Sequence, residues 1–151
     1  MPLSEAQASI GHDDTRFRVV VAGRRFGKTY LSVREMAKFG RHPNRKIVYI
    51  APSYRQGKQT VWQDLKTRLG DLGWIKRVNE TELTVSLING TVIMLRSADN
   101  YDSMRGLGID FVVFDEFADI KLETWTEVIR PALSDREGHA MFIGTPKGFG
   151  N

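Results

Sequence analysis

The stretch that decides the fold is V-V-V-A-G-R-R-F-G-K-T at residues 19–29, an apolar run followed by a loop with small residues, a lysine and a threonine. Three consecutive β-branched residues predict a buried strand, from which the loop leads into a helix. Small residues let backbone N–H groups curl around phosphate oxygens, a lysine reaches the β- and γ-phosphates, and a hydroxyl holds Mg²⁺. The stretch therefore predicts a phosphate-binding loop, or P-loop.

The loop departs in one place from the usual pattern G-x-x-x-x-G-K-[ST]. Ala22 stands where the first glycine is expected, and a glycine follows one step later. The residues expected to bind ATP are Gly23, Arg24, Arg25, Phe26, Gly27, Lys28 and Thr29. Two arginines beside Lys28 would repel each other unless a polyanion such as triphosphate compensates. We expect one arginine to stabilise charge at the γ-phosphate and the other to face solvent or an acidic neighbour.

Length and composition fit one soluble domain. The 151 residues are 41% hydrophobic and 26% charged, and the absence of cysteine excludes disulfides and thiolate metal sites. No apolar run approaches the roughly 20 residues that span a bilayer, and the N-terminus lacks the pattern of a signal peptide. We expect a single domain over residues 1–151, located in the cytoplasm and outside membranes. The scattered histidines are expected at the surface.

Positive charge is concentrated in the first half of the chain. The net charge is +4, but residues 1–77 carry 16 Lys and Arg against 6 Asp and Glu, whereas residues 78–151 carry 6 against 12. A basic surface attracts nucleic acid through its phosphates. Solvated helix faces explain the same charges equally well, so charge alone leaves both interpretations open.

The spacing of apolar residues predicts strands that alternate with helices along the chain. The predicted strands are 17–22, 47–51, 111–114 and 140–143, and the predicted helices lie near 27–39, 61–69 and 122–129, the last one broken or kinked by Pro131. This order predicts an α/β fold of the P-loop NTPase class, with a mainly parallel sheet flanked by helices. Asn89-Gly90 between two apolar runs predicts an inserted β-hairpin with a type I′ turn. Residues 97–108 are predicted to form a loop.

Two acidic residues, Asp115 and Glu116, follow the apolar strand 111–114. Phosphoryl transfer to water needs one carboxylate that acts on Mg²⁺ and a second group that orients or deprotonates the water. Asp115, with Thr29, suits the metal, and Glu116 suits the water. A solvated turn or a helix cap is the alternative. Thr145, after the last strand, is a candidate for sensing the γ-phosphate or placing the water, and it also fits a plain turn.

Together these motifs resemble the N-terminal ATPase domain of the large terminase subunit of tailed bacteriophages, the motor that packages DNA into procapsids. The segments that carry the resemblance are 23–29, 50–56 (I-A-P-S-Y-R-Q), the hairpin, 103–106 (S-M-R-G), 114–118 (F-D-E-F-A) and 143–148 (I-G-T-P-K-G). The resemblance implies an additional-strand, RecA-like (ASCE) P-loop fold. It also implies hydrolysis of ATP with Mg²⁺, coupled to translocation of double-stranded DNA.

The resemblance also implies roles for single residues. Arg24 matches the family's P-loop arginine, and residues 144–146 (G-T-P) match its motif that couples hydrolysis to movement. Arg105 falls where related terminases place an arginine that reaches the nucleotide of a neighbouring subunit, whereas without the resemblance it is a loop cation. Gln7 matches a glutamine that contacts adenine.

The implied partners are double-stranded DNA, the portal protein, the small terminase subunit and further copies of the chain in a ring on the portal, in the cytoplasm of the bacterial host. In terminases of this type a metal-dependent nuclease follows the ATPase. Because the chain stops at Asn151, we expect no nuclease activity in it, and we expect a late strand and lid elements to be missing. Two alternatives are another P-loop helicase or translocase, and a fragment that binds nucleotide without turnover.

Overall fold

A mainly parallel sheet lies at the centre of the computed structural model, which describes residues 16–21 and 26–144. Its seven strands in this part of the chain are β1 (Phe17–Val21), β2 (Lys46–Ala51), β3 (Ile75–Asn79), β4 (Thr84–Leu87), β5 (Val92–Ser97), β6 (Phe111–Asp115) and β7 (His139–Gly144). The spatial order is β1-β7-β6-β2-β5-β4-β3. The first five strands in this order are parallel, and β4 and β3 are antiparallel to their neighbours. The predicted α/β fold is confirmed.

Strand β7 lies between β1, which enters the P-loop, and β6, which ends in Asp115. This is the additional-strand arrangement that the resemblance implied. Because the three strands are parallel, their carboxyl ends meet at one edge of the sheet, where ligands of open α/β sheets bind.

Three helices in the described part of the chain cover the two faces of the sheet. Helix α1 is Phe26–Gly40, helix α2 runs without a break through Tyr54–Gly57, a π-helical turn Lys58–Trp62 and Gln63–Asp71, and helix α3 consists of a π-helical turn Thr124–Ile129 and Arg130–Ser134. Short 3₁₀ helices are Ala98–Met104 and Phe117–Asp119. The prediction of a loop over 97–108 was therefore wrong for its first part. Among the described residues, no helix is both long and apolar enough to cross a membrane.

The core has two layers, because successive side chains of each strand point to opposite faces of the sheet. One layer joins α1 and α2 to strand residues that include Tyr49, Phe111 and Val113. The other joins α3 and the 3₁₀ segment to the opposite strand face, which carries Val112 and Phe114. In β6, Phe111 and Val113 therefore face α1, whereas Val112 and Phe114 face α3.

Strand β1 differs from the prediction of a buried strand. Val20 and Arg18 are buried, whereas Val19 and Val21 are each 65% exposed. In the described part of the chain β1 pairs with β7 and lies at the edge of the sheet. A run of β-branched residues has the same appearance in a central strand and in an edge strand, so the pattern overestimated the burial.

The inserted hairpin is confirmed, although its turn is different from the prediction. Strands β4 and β5 are antiparallel, with Val85 opposite Ile93. Gly90 N–H donates to Leu87 O, and Gly90 has a φ of 88°, whereas Asn89 is not in the positive-φ region. The loop has three residues instead of two, because Leu87 N–H donates to Thr91 O, and its last residue is a left-handed glycine, so it is not a type I′ turn. Strand β3, which the sequence did not indicate, pairs with β4.

The face predicted for the last helix is only partly correct. Ile129 is buried and Trp125 is half-buried, but Leu122 is 70% exposed. The π-helical turn Thr124–Ile129 changes the angular spacing between these residues. Pro131 does not break the helix, which changes from the π-helical turn to α-helical geometry at Arg130, one residue before the proline.

Candidate functional site

The centre of the candidate site is a lysine between two carboxylates. Lys28 lies in the first turn of α1, and its Nζ is 2.7 Å from Asp115 Oδ1 and 2.6 Å from Glu116 Oε1. Lys28 is 8% exposed and Asp115 is 3% exposed. The structure thus brings together three of the predicted site residues from the P-loop helix and from the end of β6.

Local backbone geometry explains why both acids face the lysine. Asp115 lies on the same face of β6 as Phe111 and Val113, which pack toward α1. Glu116 has φ 52° and ψ 50°, a left-handed conformation that turns the chain sharply after the strand. A non-glycine residue in this region costs about 1 kcal/mol, and such strain is concentrated at functional sites. The turn directs the Glu116 carboxylate back toward α1.

Lys28 is a firmly held cation. Burial by itself lowers the pKa of Lys28, because it disfavours the charged ammonium. The attraction of Asp115 and Glu116 outweighs burial and raises the pKa of Lys28 above its ordinary value of 10.5. The lysine therefore carries its charge throughout the neutral pH range.

Tyr49 in β2 is a member of the site that the sequence analysis missed. Its hydroxyl donates to Asp115 Oδ2. Burial and the neighbouring Asp115 charge raise the pKa of Tyr49 well above its ordinary value, so the phenol remains a donor. The available signal was a tyrosine inside the otherwise apolar run I-V-Y-I-A at residues 47–51, but sequence alone does not show which strand lies beside β2.

The rest of the P-loop helix is compatible with a bound anion. Thr29 is half-buried, and its Oγ1 lies 3.5 Å from Thr60 O. Gly27 is half-buried beside Phe26, which begins α1. The first turn of α1 carries no acidic side chain, and the N–H groups at a helix N-terminus attract phosphate. Predicted site residues outside the described part are Gln7, Gly23, Arg24, Arg25 and Thr145.

Two oxygen groups in the site fit Mg²⁺. Apart from the ion pair with Lys28 at 2.7 Å, the buried Asp115 Oδ1 has no hydrogen-bond partner among the described residues. The second oxygen is the hydroxyl of Thr29, which follows Lys28 in α1. The described residues contain no group of three His, Cys, Asp or Glu side chains arranged to hold a metal by themselves. Mg²⁺ takes one or two protein oxygens together with substrate phosphates and water, so Asp115 and Thr29 are the residues that could hold it here.

Arg105 lies on the surface, after the 3₁₀ helix Ala98–Met104. Its Nη2 is 2.7 Å from Asp102 Oδ1 and 4.0 Å from Glu127 Oε2. The hydrogen bond to Asp102 raises the pKa of Arg105 above its usual range. More than half of the Arg105 side chain is exposed, which is what contact with a second molecule requires.

The chain is similar to known proteins in both sequence and fold. The family model described as "Terminase large subunit, T4likevirus-type, N-terminal" matches residues 19–149. The large terminase subunit of Escherichia phage T5 is 31% identical over 141 residues, which are 90% of this chain and 32% of that protein. The chain therefore spans about a third of the length of this relative.

Solved structures of phage large terminases have the same fold. The large terminase ATPase domain of Thermus phage P74-26 has a TM-score of 0.84 at 27% identity, over 98% of this chain and 66% of that one. The large terminase of the HK97 bacteriophage has a TM-score of 0.78 at 16% identity, over 96% of this chain and 33% of that one. These matches confirm the resemblance seen in the motifs, and we conclude that the chain belongs to the family of phage large terminase N-terminal domains.

Proposed function

We propose that this chain is the ATP-hydrolysing motor domain of a phage large terminase, which couples hydrolysis of Mg²⁺-ATP to translocation of double-stranded DNA into procapsids. The observation that carries the proposal is the position of Lys28 between Asp115 and Glu116 at the N-terminal turn of α1. Membership of the terminase family supports it, as does the similarity to the ATPase domain from Thermus phage P74-26.

The P-loop residues 23–29 and the N-terminus of α1 hold the phosphates of ATP. Lys28 Nζ lies within 2.7 Å of a carboxylate oxygen of Asp115 and of one of Glu116, so both acids attract it strongly. A phosphate oxygen that accepts from the ammonium competes with the Glu116 carboxylate for it, because both are anionic acceptors. Nucleotide binding thus weakens the hold of Lys28 on Glu116 and makes that carboxylate available for chemistry.

Glu116 acts as the general base. Its carboxylate accepts the proton of a water molecule as the water oxygen attacks the γ-phosphorus, and the bond from that phosphorus to the β–γ bridging oxygen breaks. Asp115 and Thr29 would hold Mg²⁺, which neutralises charge on the phosphate oxygens when it is bound. Lys28 adds a fixed positive charge beside the phosphates, and the products are ADP and inorganic phosphate.

We assign further roles to Arg105 and to three residues outside the described part of the chain. Arg24, within the same subunit, and Arg105, from a neighbouring subunit of a ring on the portal, add positive charge at the γ-phosphate. Thr145 couples hydrolysis to movement, and Gln7 contacts adenine. The other partners are double-stranded DNA, the portal protein and the small terminase subunit, and residues 1–151 act as one P-loop ATPase domain.

Phosphate release from Mg²⁺-ATP, with and without double-stranded DNA, tests the proposed reaction. We expect Glu116→Gln to bind nucleotide but to hydrolyse it at least about 100-fold more slowly, which is the usual contribution of a general base. We expect Lys28→Ala to lose nucleotide affinity, and Glu123→Gln, an exposed acid before α3, to behave like the parent. Parental hydrolysis by Glu116→Gln would remove that residue from the role of base. Nucleotide binding without phosphate release by the parent would identify a non-catalytic fragment.

Mixed subunits test the role of Arg105. Arg105→Ala subunits keep Glu116, and Glu116→Gln subunits keep Arg105, so a mixed ring contains some complete sites. We expect partial recovery of hydrolysis when the two inactive variants are combined under conditions where subunits assemble. Absence of recovery in a demonstrated ring would contradict action on the neighbouring subunit.

A further inference from the structure

We propose that Tyr49 is a positioning residue that orients Asp115 in the nucleotide site, an inference that rests on the proposed function. Strands β2 and β6 are parallel neighbours, and Tyr49 pairs with Val113, two residues before Asp115. Residues two apart share one face of a strand. The Tyr49 ring therefore lies on the same side of the sheet as α1 and Asp115. Its hydroxyl donates a hydrogen bond to Asp115 Oδ2.

The hydrogen bond gives the two oxygens of Asp115 different environments. Oδ2 accepts from the Tyr49 hydroxyl, whereas Oδ1 faces Lys28 Nζ at 2.7 Å. A carboxylate that is held at one oxygen has a defined direction for the other. Outer hydrogen bonds of this kind fix the orientation of metal-binding carboxylates and commonly change metal affinity about 10-fold or more.

Burial makes the Tyr49 hydroxyl difficult to replace. Tyr49 is 1% exposed and lies within the core layer that α1 and α2 share with the sheet. Phenylalanine would preserve the ring packing but would leave Asp115 Oδ2 without this donor, in a place that water does not readily reach. Asp115 would then be able to rotate and direct both oxygens toward Lys28, which reduces its availability to a metal ion.

If the Tyr49 hydroxyl contributed only to the stability of the fold, its removal would have a different effect. Loss of a merely structural hydrogen bond lowers the free energy of unfolding, but it leaves the metal requirement for nucleotide binding unchanged. Trp62 provides the matched control, because this buried residue donates through Nε1 to Glu80 Oε1 at 2.8 Å. Trp62→Phe also removes a donor from a carboxylate, but this donor is on α2 and its acceptor is Glu80, not Asp115.

The experiment uses ADP, Mg²⁺ and Mn²⁺ as probes of the full chain. ADP affinity is measured by calorimetry in EDTA and across a Mg²⁺ titration, and bound Mn²⁺ is counted by electron paramagnetic resonance in the presence of ADP. For Tyr49→Phe we expect ADP affinity in EDTA close to that of the parent and a metal concentration for half-saturation about 10-fold higher. For Trp62→Phe we expect parental values of both quantities.

Each outcome has a distinct meaning. A parental metal requirement in Tyr49→Phe overturns the positioning role, and so does an equal shift in Trp62→Phe. Failure of the parent to bind ADP overturns the proposed function itself. Replacement of Tyr49 by 4-aminophenylalanine retains a donor and covers the case in which the phenylalanine variant does not fold. We expect this replacement to restore the parental metal requirement, and a shift of about 10-fold there would also overturn the role.

Discussion

Lys28 Nζ lies 2.6 Å from Glu116 Oε1 and 2.7 Å from Asp115 Oδ1, so one ammonium lies between two adjacent carboxylates. Removal of the lysine leaves two like charges close together in a largely buried site. We expect Lys28→Met to lower the free energy of unfolding by about 3 kcal/mol. We expect Lys28→Met combined with Glu116→Gln to lose less than the sum of the single variants, in a double-mutant cycle measured by urea denaturation. Additive losses would show that the ion pair does not stabilise the fold.

A second ion pair joins β1 to α1. Arg18 Nη2 is 2.7 Å from Glu35 Oε1, and both side chains are buried. Glu35→Ala removes this carboxylate from a buried guanidinium, so we expect it to lower the free energy of unfolding by about 3–5 kcal/mol. The apolar pair Arg18→Met with Glu35→Leu should recover most of this loss. Arg34→Ala is the control, because Arg34 is a more exposed partner of Glu35 at 3.3 Å. A loss for Glu35→Ala no greater than for Arg34→Ala would refute the prediction.

Two buried threonines have opposite hydrogen-bonding environments. Thr124 Oγ1 has no hydrogen-bond partner among the described residues, whereas Thr91 Oγ1 donates to His42 O and accepts from Arg45 N. We expect Thr124→Val to leave stability unchanged or to increase it. Thr91→Val should cost about 1–3 kcal/mol, because it leaves backbone groups unpaired. Thermal denaturation of both variants gives the comparison, and the reverse order would contradict it.

Two glycines with positive φ differ in the space around them. Gly90 has a φ of 88° in the β4–β5 turn, and a Cβ there would overlap Asn44 Oδ1. Gly73 has a φ of 73°, and a Cβ there would meet nothing within 4 Å. We expect Gly73→Ala to cost about 1 kcal/mol from backbone strain alone and Gly90→Ala to cost more. Equal losses in urea denaturation would exclude a contribution from the Asn44 contact.

The lowered pKa of Glu80 predicts a small dependence of the free energy of unfolding on pH. Hydrogen bonds from Trp62 and Lys66 hold the pKa of Glu80 below its ordinary value of 4.5. A lowered pKa in the folded state adds stability above the ordinary value, and that stability disappears as pH falls through the lowered pKa. We therefore expect Glu80→Gln to be less stable than the parent near neutral pH, with the difference closing as pH falls below 4.5 and through the lowered pKa of Glu80. Glu82→Gln controls for loss of a neighbouring charge. A difference independent of pH would exclude the mechanism.

Several elements could be predicted because their signals are local. A few neighbouring positions are enough to indicate the strand at residues 19–21 and the acids that follow residues 111–114. Periodicity placed α1 correctly, because its apolar positions follow the helical repeat on one face. Strand β3 gave no such signal, since Lys76 and Arg77 are exposed in the middle of a short strand.

The order of most strands and helices and the positions of the two candidate acids follow from the sequence, because propensity, periodicity and residue chemistry act over short distances along the chain. Tertiary structure alone decided that β1 lies at an edge, that Tyr49 lies beside Asp115 and that Lys28 lies between Asp115 and Glu116. These relationships depend on which strands become neighbours and on how α1 packs over them. Such contacts join residues far apart in the chain, and no local pattern specifies them.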